Sequence, residues 1–298
     1  MYFRFRARVS VVFVLVPFLL IHMSLIKLKK SNRRPIPVPQ NQRQHKPVFL
    51  GDSIGKRLQQ QSYHIQHREM GWWCGWGRNS NKAVKWMKDN LETELQLINQ
   101  KIWLYVLIET CDFTNFNPST KIIDLKYTET KEIVNHLVNN YKQIQPLLET
   151  LSPNSKVTFL TIPFYSIEAW NKKHKHKEPT KFREQDYKLE EQILAVNSEI
   201  KKLNKENHQE APEFNSDLYR SSNRQKKTYA GNPSSSRHGE TKSRRLYNIE
   251  LLKDGIHPDI HLARAWLMKV TLLTIKDCWK QPKEEDQAAV DQNNNDLV

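Results

Sequence analysis

The sequence contains little cysteine, and none of its asparagines stands in an Asn-x-Ser/Thr sequon with a permitted middle residue. Its three cysteines, Cys74, Cys111 and Cys278, cannot all pair, so the pattern of a disulfide framework is absent. The sequence therefore does not indicate a disulfide-stapled or N-glycosylated secreted protein. Both absences favour a reducing, non-secreted environment.

Acidic residues are absent from positions 1–46, which carry ten Lys and Arg residues, and the whole chain has a formal net charge of +15. The segment 171–181 contributes +4, 220–245 contributes +7 and the acidic tail 281–298 contributes −4. The remaining residues of the chain are close to neutral. The basic charge therefore lies in an N-terminal arm and two loops rather than in the folded body.

The N-terminal arm contains an apolar run of 18 residues, 9–26, with basic residues on both sides. This length is close to the lower limit for a transmembrane helix, and no small-residue cleavage site follows it. The pattern predicts a membrane-associated signal anchor, whose orientation the flanking charges leave open. The alternative is an unstructured leader. Residues 31–46 contain several prolines among polar residues and are predicted to be an extended linker.

One short stretch organises the rest of the chain: Pro47-Val48-Phe49-Leu50-Gly51-Asp52-Ser53-Ile54-Gly55. An apolar run stops at Gly-Asp-Ser, and a helix-compatible segment follows at once, which is typical of a buried strand that leads into a helix. We expect Ser53 on a tight turn at the carboxyl end of the strand, beside N–H groups that can stabilise an oxyanion. Asp52 is expected to have a structural role in the turn.

Strand and helix patterns alternate through the remaining residues, as in an α/β domain. Further strands are predicted over 63–67, 102–108, 157–162 and 213–218. Helices are predicted over 79–97, 129–148, 186–203 and 260–276. The segment 219–245 has the composition of a disordered insertion, and 281–298 that of a polar acidic tail.

Asp254-Gly255-Ile256-His257-Pro258 precedes the last predicted helix. The segment 51–55 also satisfies G-x-S-x-G, the nucleophile elbow of α/β-hydrolases, but too few residues precede it for the strands that this fold requires. Gly-Asp-Ser on a first strand, with Asp-x-x-His near the C-terminus, instead resembles the SGNH/GDSL hydrolase superfamily. The resemblance spans roughly residues 47 to 277, and its two sharp motifs are those at the ends.

The resemblance implies a three-layer α/β/α, flavodoxin-like domain over 47–280, with a parallel sheet of about five strands. It also implies a serine esterase in which Ser53 is the nucleophile, His257 the base and Asp254 the group that orients the base. A small-molecule, lipid or sugar ester is the expected substrate. No cofactor and no metal are expected, since the pair His174 and His176 has no second cluster of ligands beside it.

In this superfamily the oxyanion hole is formed by main-chain N–H groups, including one from a loop glycine, and by an asparagine side chain. Beside the N–H group of Ser53, the segment 70–78 offers Gly71, Gly75 and Gly77 among three tryptophans. A structural turn capped by tryptophans is the alternative interpretation of that segment.

The asparagine normally stands in Gly-x-Asn-Asp, where this chain has Glu109-Thr110-Cys111-Asp112. Cys111 thus takes the asparagine position, and a thiol is a weaker donor than an amide. Weakened catalysis is therefore expected. The alternative function is a catalytically reduced protein of this fold that binds RNA or another partner through its basic segments. Against that alternative, all three triad residues are present.

Overall fold

Strands and helices alternate along the chain in a computed structural model, which describes residues 25–279 except 27, 40, 109 and 220–246. The strands are β1 (Lys46–Gly51), β2 (Gly71–Cys74), β3 (Ile102–Leu107), β4 (Thr114–Phe116), β5 (Ile123–Leu125) and β6 (Lys156–Phe159). The helices are α1 (Ser53–Gln59), α2 (Ile65–Arg68), α3 (Ser80–Ile98), α4 (Thr110–Phe113), α5 (Thr130–Leu151), α6 (Ile167–Lys173), α7 (Arg183–Glu206), α8 (Asn215–Leu218) and α9 (Ile260–Cys278). Single 3₁₀ turns occur at Pro179–Phe182 and Ile249–Leu251.

The core is a parallel sheet with the strand order β2-β1-β3-β6. Its two central strands, β1 and β3, are almost entirely buried, because their unbroken apolar runs face helices on both sides. Val48 pairs with Leu104 and Gly51 with Leu107, so the carboxyl ends of both strands reach the same edge of the sheet. That edge is where open α/β sheets bind ligands.

Helices cover both faces of this sheet and complete three layers, which confirms the predicted α/β/α architecture. On one face α3 packs against α5 and α5 packs against α7. On the other face α1 and α9 pack against each other and against β1. The fully buried Trp266 of α9 lies with its ring centroid 5.3 Å from that of Phe214. The four long helices predicted from periodicity are all present, with ends shifted by a few residues.

In the part of the chain that the structure describes, the parallel sheet has four strands rather than about five. The predicted strand 213–218 is helical at α8, so this prediction is wrong. Asparagine side chains take the place of a fifth strand, because each both accepts from a main-chain N–H and donates to a main-chain carbonyl of the segment 159–164. The three are Asn204 at Phe159, Asn197 at Ile162, and Asn215 at Ile162 and Phe164.

The predicted strand 63–67 is also wrong. Here His64 caps the short helix α2, and its ring accepts from the N–H of Gln66. The second strand of the sheet is instead β2, within the tryptophan-rich segment, where Trp73 is buried against Trp86 and donates from its ring N–H to Glu94. The tryptophans of β2 therefore provide the apolar side chains with which this strand packs on its neighbours, and residues 63–67 do not.

The structure contains two elements that the sequence patterns do not indicate, a hairpin after α4 and a short helix after β6. An antiparallel hairpin joins β4 to β5, with Asn115 paired with Asp124. The helix α6 includes the first residues of the basic segment 171–177, which the composition suggested to be a loop. Asn171 is fully buried and ties α6 to the hairpin, since its side chain accepts from the N–H of Ile123 and donates to its carbonyl.

Several predicted segments lie outside the described residues: positions 1–24 of the apolar arm, almost all of the insertion and the acidic tail. Tyr219 and Tyr247 pair in an antiparallel bridge at the base of the insertion. Leu28 is buried in the core and the Asn32 side chain donates to the carbonyl of His261, so residues close to the arm contact the domain. Among the described helices, none has the length and apolar character to cross a membrane.

Candidate active site

The turn from β1 into α1 carries Ser53 as the first helical residue. Asp52 is the N-cap of α1, and its Oδ1 accepts from the N–H of Ile54 at 2.8 Å. Its Oδ2 accepts from the N–H of Thr110 at 3.4 Å, which joins the ends of β1 and β3. Asp52 is fully buried, and this burial raises the pKa of its carboxyl although these N–H groups act in the opposite direction. Its position is consistent with the structural role expected for it.

A second turn, just before α9, carries His257 and Asp254. Asp254 Oδ1 accepts from the N–H groups of Ile256 at 3.1 Å and His257 at 2.8 Å. Asp254 Oδ2 lies 2.8 Å from His257 Nδ1. The carboxylate therefore shapes the turn and orients the imidazole at the same time.

The structure brings the two turns together, although they are 204 residues apart in the sequence. Ser53 Oγ lies 3.0 Å from His257 Nε2, so the predicted serine, histidine and aspartate form one hydrogen-bonded chain. Ser53 is 8 % exposed, so most of its surface is covered by neighbouring residues. Both contacts are within the range of normal hydrogen bonds.

The electrostatics of this chain follow from Asp254. Burial acts to raise the pKa of its carboxyl, but the ring and charge of His257 and the two main-chain N–H groups outweigh it and lower the pKa to about 2. Asp254 is thus an anion at neutral pH and can only accept hydrogen bonds. His257 must donate from Nδ1, so in the neutral imidazole Nε2 accepts from the Ser53 hydroxyl.

The turn that carries His257 is held against the first turn of α6. Gly255 has φ +93°, and a Cβ at this position would lie 2.5 Å from the main-chain nitrogen of Trp170. The N–H of Ser166, the N-cap of α6, donates to the carbonyl of Gly255 at 2.8 Å. Asp186 in turn accepts from the Ser166 hydroxyl and from the N–H of Ile167. Glycine is required here both by the backbone conformation and by the close approach.

The three glycines considered for the oxyanion hole occupy different positions. Gly71 starts β2 and pairs with Val48, which places it toward the amino ends of the strands and away from Ser53. The N–H of Gly75 donates to the carbonyl of Gly51 at 3.0 Å, so this donor is already used. Gly77 lies in the turn beyond the carboxyl end of β2, with φ +62° and open space around its Cα. Of the three candidates, Gly77 is therefore the one that neither observation argues against.

Cys111 lies in α4, directly after the carboxyl end of β3, and is half-buried. The neighbouring Asp112 is fully buried and accepts from the N–H and hydroxyl of Ser80, both at 2.8 Å, and from His136 Nε2 at 3.1 Å. Asp112 therefore fastens α4 to α3 and α5, a structural task that sequence reasoning did not assign. Glu109 lies outside the described residues.

Buried thiols do not compete with Ser53 as nucleophiles. Cys74 Sγ lies under the serine turn, where a Cβ added to Gly51 or Gly55 would approach it within 3.0 Å. Burial raises the pKa of Cys74 and of Cys278 to about 12, so both are protonated near neutral pH. No group of three or more His, Cys, Asp or Glu side chains suited to a metal occurs in the described ranges.

Ser53, His257 and Asp254 thus lie together at the edge of the sheet where the parallel strands end. It is similar in fold to solved GDSL-like lipases. A GDSL-like lipase from Bacteroides thetaiotaomicron is 12 % identical, with a TM-score of 0.47, and the match covers 86 % of this chain and 98 % of that one. A lipase/acylhydrolase from Enterococcus faecalis is 10 % identical, with a TM-score of 0.44, over 80 % of this chain and 100 % of that one. At such low sequence identities and TM-scores, the similarity concerns the fold alone.

No family model matches the chain, and no curated protein matches it.

Two tryptophans next to His257 complete the surroundings of the site. The ring centroid of Trp76 lies 6.5 Å from that of His257, and that of Trp170 lies 6.3 Å from it. Trp76 belongs to the segment singled out for its glycines, whereas nothing in the sequence around Trp170 indicated a place at the site. Its location depends on the contact between Gly255 and α6, which no local pattern encodes.

Proposed function

We propose that the protein is a serine esterase or acyl hydrolase in which Ser53, His257 and Asp254 act as a catalytic triad. The observation that supports this best is the continuous hydrogen-bonded chain, with 3.0 Å from Ser53 Oγ to His257 Nε2 and 2.8 Å from His257 Nδ1 to Asp254 Oδ2. Nucleophile, base and orienting acid stand in the relation that ester cleavage near neutral pH requires.

In the proposed reaction Ser53 Oγ attacks the ester carbonyl carbon while His257 Nε2 takes the hydroxyl proton. The tetrahedral oxyanion then collapses, the alcohol leaves with the proton that His257 returns, and an acyl-serine remains. Water, deprotonated by the same nitrogen, attacks the acyl-serine and releases the acid and the free Ser53 hydroxyl. Asp254 stabilises the imidazolium in both halves without taking up a proton itself.

The oxyanion is proposed to be bound by the main-chain N–H groups of Ser53 and Gly77. Ser53 is the first residue of α1, where N–H groups are unpaired within the helix and the helix dipole favours negative charge. Gly77 lies in the adjoining turn after β2. With Cys111 in place of the amide donor, we expect a turnover roughly 10²–10³-fold below that of a complete oxyanion hole.

The test is turnover of a short-chain aryl ester by the wild type and by Ser53→Ala, His257→Ala and the double variant. Because the two groups act as a unit, each single variant should lose nearly all activity and the double variant little more. Ser62→Ala, on the segment after α1, is the control for a serine removed elsewhere. Equal turnover by wild type and Ser53→Ala would overturn the proposal.

A fluorophosphonate probe tests the nucleophile without depending on the right ester. Intact-protein mass spectrometry should show one adduct on the wild type and none on Ser53→Ala or His257→Ala. The RNA-binding alternative is addressed with the same preparations, titrated with RNA over a salt series. Absence of both turnover and adduct, together with tight RNA binding that survives Ser53→Ala, would decide for the alternative.

A further inference from the structure

Two tryptophans lie beside His257, and a phenylalanine lies beside one of them. Trp76 and Trp170 have ring centroids within 6.5 Å of the imidazole, and Phe116 meets Trp170 edge-on at 6.5 Å with an interplanar angle of 85°. Trp76 is 57 % exposed and Phe116 is 55 % exposed. Large aromatic surfaces left open to water beside reactive groups indicate a binding site rather than a part of the core.

The Trp170 ring is fixed in place by its neighbours. Its indole N–H donates to the carbonyl of Lys121 at 2.9 Å, which ties it to the β4–β5 hairpin. His174, one turn later, stacks on it with a centroid distance of 4.2 Å and an interplanar angle of 28°. An indole held at its N–H and on its ring face presents a preorganised flat surface, so a ligand that stacks on it pays little ordering cost.

Trp76 stands in the turn between β2 and α3, and the guanidinium of Arg57 lies 5.4 Å from its ring centroid. Arg57 belongs to α1, the helix that Ser53 begins. The two tryptophans thus come from separate elements: Trp76 lies beside Arg57 of α1, and Trp170 belongs to α6. Both have ring centroids within 6.5 Å of the imidazole, whose Nε2 lies 3.0 Å from Ser53 Oγ.

We propose that the substrate carries a flat ring next to its ester bond, and that Trp76 and Trp170 bind this ring by stacking. This inference rests on the proposed function. Aromatic rings favour offset or edge-to-face neighbours with centroids 4.5–7 Å apart. Both indoles lie within 6.5 Å of the imidazole that would stand beside the reacting carbonyl. A puckered saturated ring of the same carbon skeleton fits an indole face less well.

The experiment compares flat and puckered rings at constant chemistry. One pair is 2,2,2-trifluoroethyl phenylacetate and 2,2,2-trifluoroethyl cyclohexylacetate, which differ only in the acyl ring. The other pair is benzyl butyrate and cyclohexylmethyl butyrate, which differ only in the ring of the alcohol. The wild type should prefer the aromatic member of at least one pair in kcat/KM by roughly 3- to 10-fold. Trp170→Leu and Trp76→Leu should each bring that ratio close to one.

Tyr63→Leu is the matched control, because Tyr63 is a 65 % exposed aromatic with the guanidinium of Arg264 near its ring but is not in contact with His257. It should keep the wild-type preference. Thermal melts show which variants fold, and if Trp170→Leu does not, Trp76→Leu and Phe116→Leu carry the comparison. A wild type without preference, or a preference unchanged in the tryptophan variants, would overturn the inference.

Binding separates failure of this inference from failure of the proposed function. The four esters are titrated into Ser53→Ala and observed by saturation-transfer NMR. If the wild type hydrolyses none of them and forms no fluorophosphonate adduct, while Ser53→Ala still favours the aromatic members, the esterase proposal fails and the ring site is supported. Hydrolysis without preference contradicts the ring site alone, and absence of both turnover and preferential binding contradicts both.

Discussion

Two aspartates close to Ser53 and His257 differ in the direction in which the protein shifts the pKa of their carboxyls. Asp52 is fully buried under the serine turn, and burial raises the pKa of its carboxyl. Asp254 is partly buried too, but the His257 ring and two main-chain N–H groups bring the pKa of its carboxyl down to about 2. The carboxyl whose pKa is lowered is the one beside the imidazole, as the proposed orienting role requires.

Asp254→Asn should lower kcat roughly 10²–10⁴-fold, because an amide can hold the wrong imidazole tautomer and carries no charge to stabilise the imidazolium. Stability should change with pH as well. The pKa of Asp254 is below its ordinary value of 3.8 in the folded protein, so the carboxylate stabilises the fold above about pH 4 and loses this effect as the pH falls toward 2.

Urea unfolding between pH 2 and 7 measures this difference. The gap between the wild type and Asp254→Asn should be constant from pH 7 to 5 and shrink below pH 4. Asp89→Asn, at an exposed carboxylate paired with Lys85, is the control and should change neither turnover nor the shape of the curve. A gap that stays constant down to pH 2 would contradict the assigned pKa of Asp254.

Cys111→Asn, combined with Glu109→Gly, should raise turnover of an aryl ester by about tenfold or more. The change supplies an amide donor at the position where the resembled family has one, and one such donor usually contributes 10²–10³-fold in kcat. Turnover is measured at saturating substrate. Cys111→Ala is the control, since it removes the thiol without adding a donor and should not raise the rate. An unchanged rate in the repaired protein would place Cys111 away from the oxyanion.

At the scale of the element, the His257 turn depends on the first turn of α6. Ser166 donates to the carbonyl of Gly255, and Asp186 binds both the hydroxyl of Ser166 and the start of the helix. The histidine is thus positioned by a helix that begins about 90 residues before it in the sequence. Disturbing this contact should affect both stability and catalysis.

Gly255→Ala should destabilise the protein by about 2–4 kcal/mol, since it combines a positive φ with a Cβ 2.5 Å from the main-chain nitrogen of Trp170. Gly77→Ala is the matched comparison, because φ is also positive but no atom lies within 4 Å of the added Cβ. It should cost only about 1 kcal/mol. Denaturant unfolding of both variants checks this, and equal losses would show that φ alone, without the contact, explains the effect.

At the scale of the whole molecule, the domain and the basic apolar arm meet near residue 28. Leu28 belongs to the hydrophobic core and is 3 % exposed, whereas the predicted anchor extends over 9–26. Most of that anchor lies outside the described residues. A truncation that tests the anchor must therefore keep the residues that pack on the domain.

Deletion of residues 1–24 should convert a membrane-associated protein into one found in the soluble fraction, with unchanged unfolding, because the apolar run is removed and Leu28 is kept. Fractionation of cell lysates at low and high salt measures the effect. Deletion of 1–30 is the comparison and should in addition lower stability, since it leaves the site of Leu28 empty. Full-length protein that already stays soluble at high salt would contradict the anchor.

Local patterns were sufficient where one element buries a continuous apolar surface. The runs that became β1 and β3, and the 3.6-residue periodicity of α3, α5 and α7, each specify an element by its own residues. They failed where a partner elsewhere decides the outcome. The segment 213–218 forms no strand because Asn197 and Asn204 of α7 already satisfy the main chain at that side of the sheet. Likewise, the segment 71–74 forms the strand β2 because Trp73 packs on Trp86 of α3 and donates to Glu94 of the same helix.

The sequence by itself determined that a serine stands in the turn after the first strand, that Asp254 and His257 share one turn, and that strands and helices alternate as in an α/β domain. These are properties of neighbouring residues, which local sterics and hydrogen bonding fix. Only the tertiary structure decided that the serine and the histidine meet, that Gly71 pairs with Val48 and Gly75 bonds to Gly51, and that Trp170 stands beside His257. Each of these depends on contacts between residues far apart in the chain, and the packing of α6, α9 and β1 on one another supplies them.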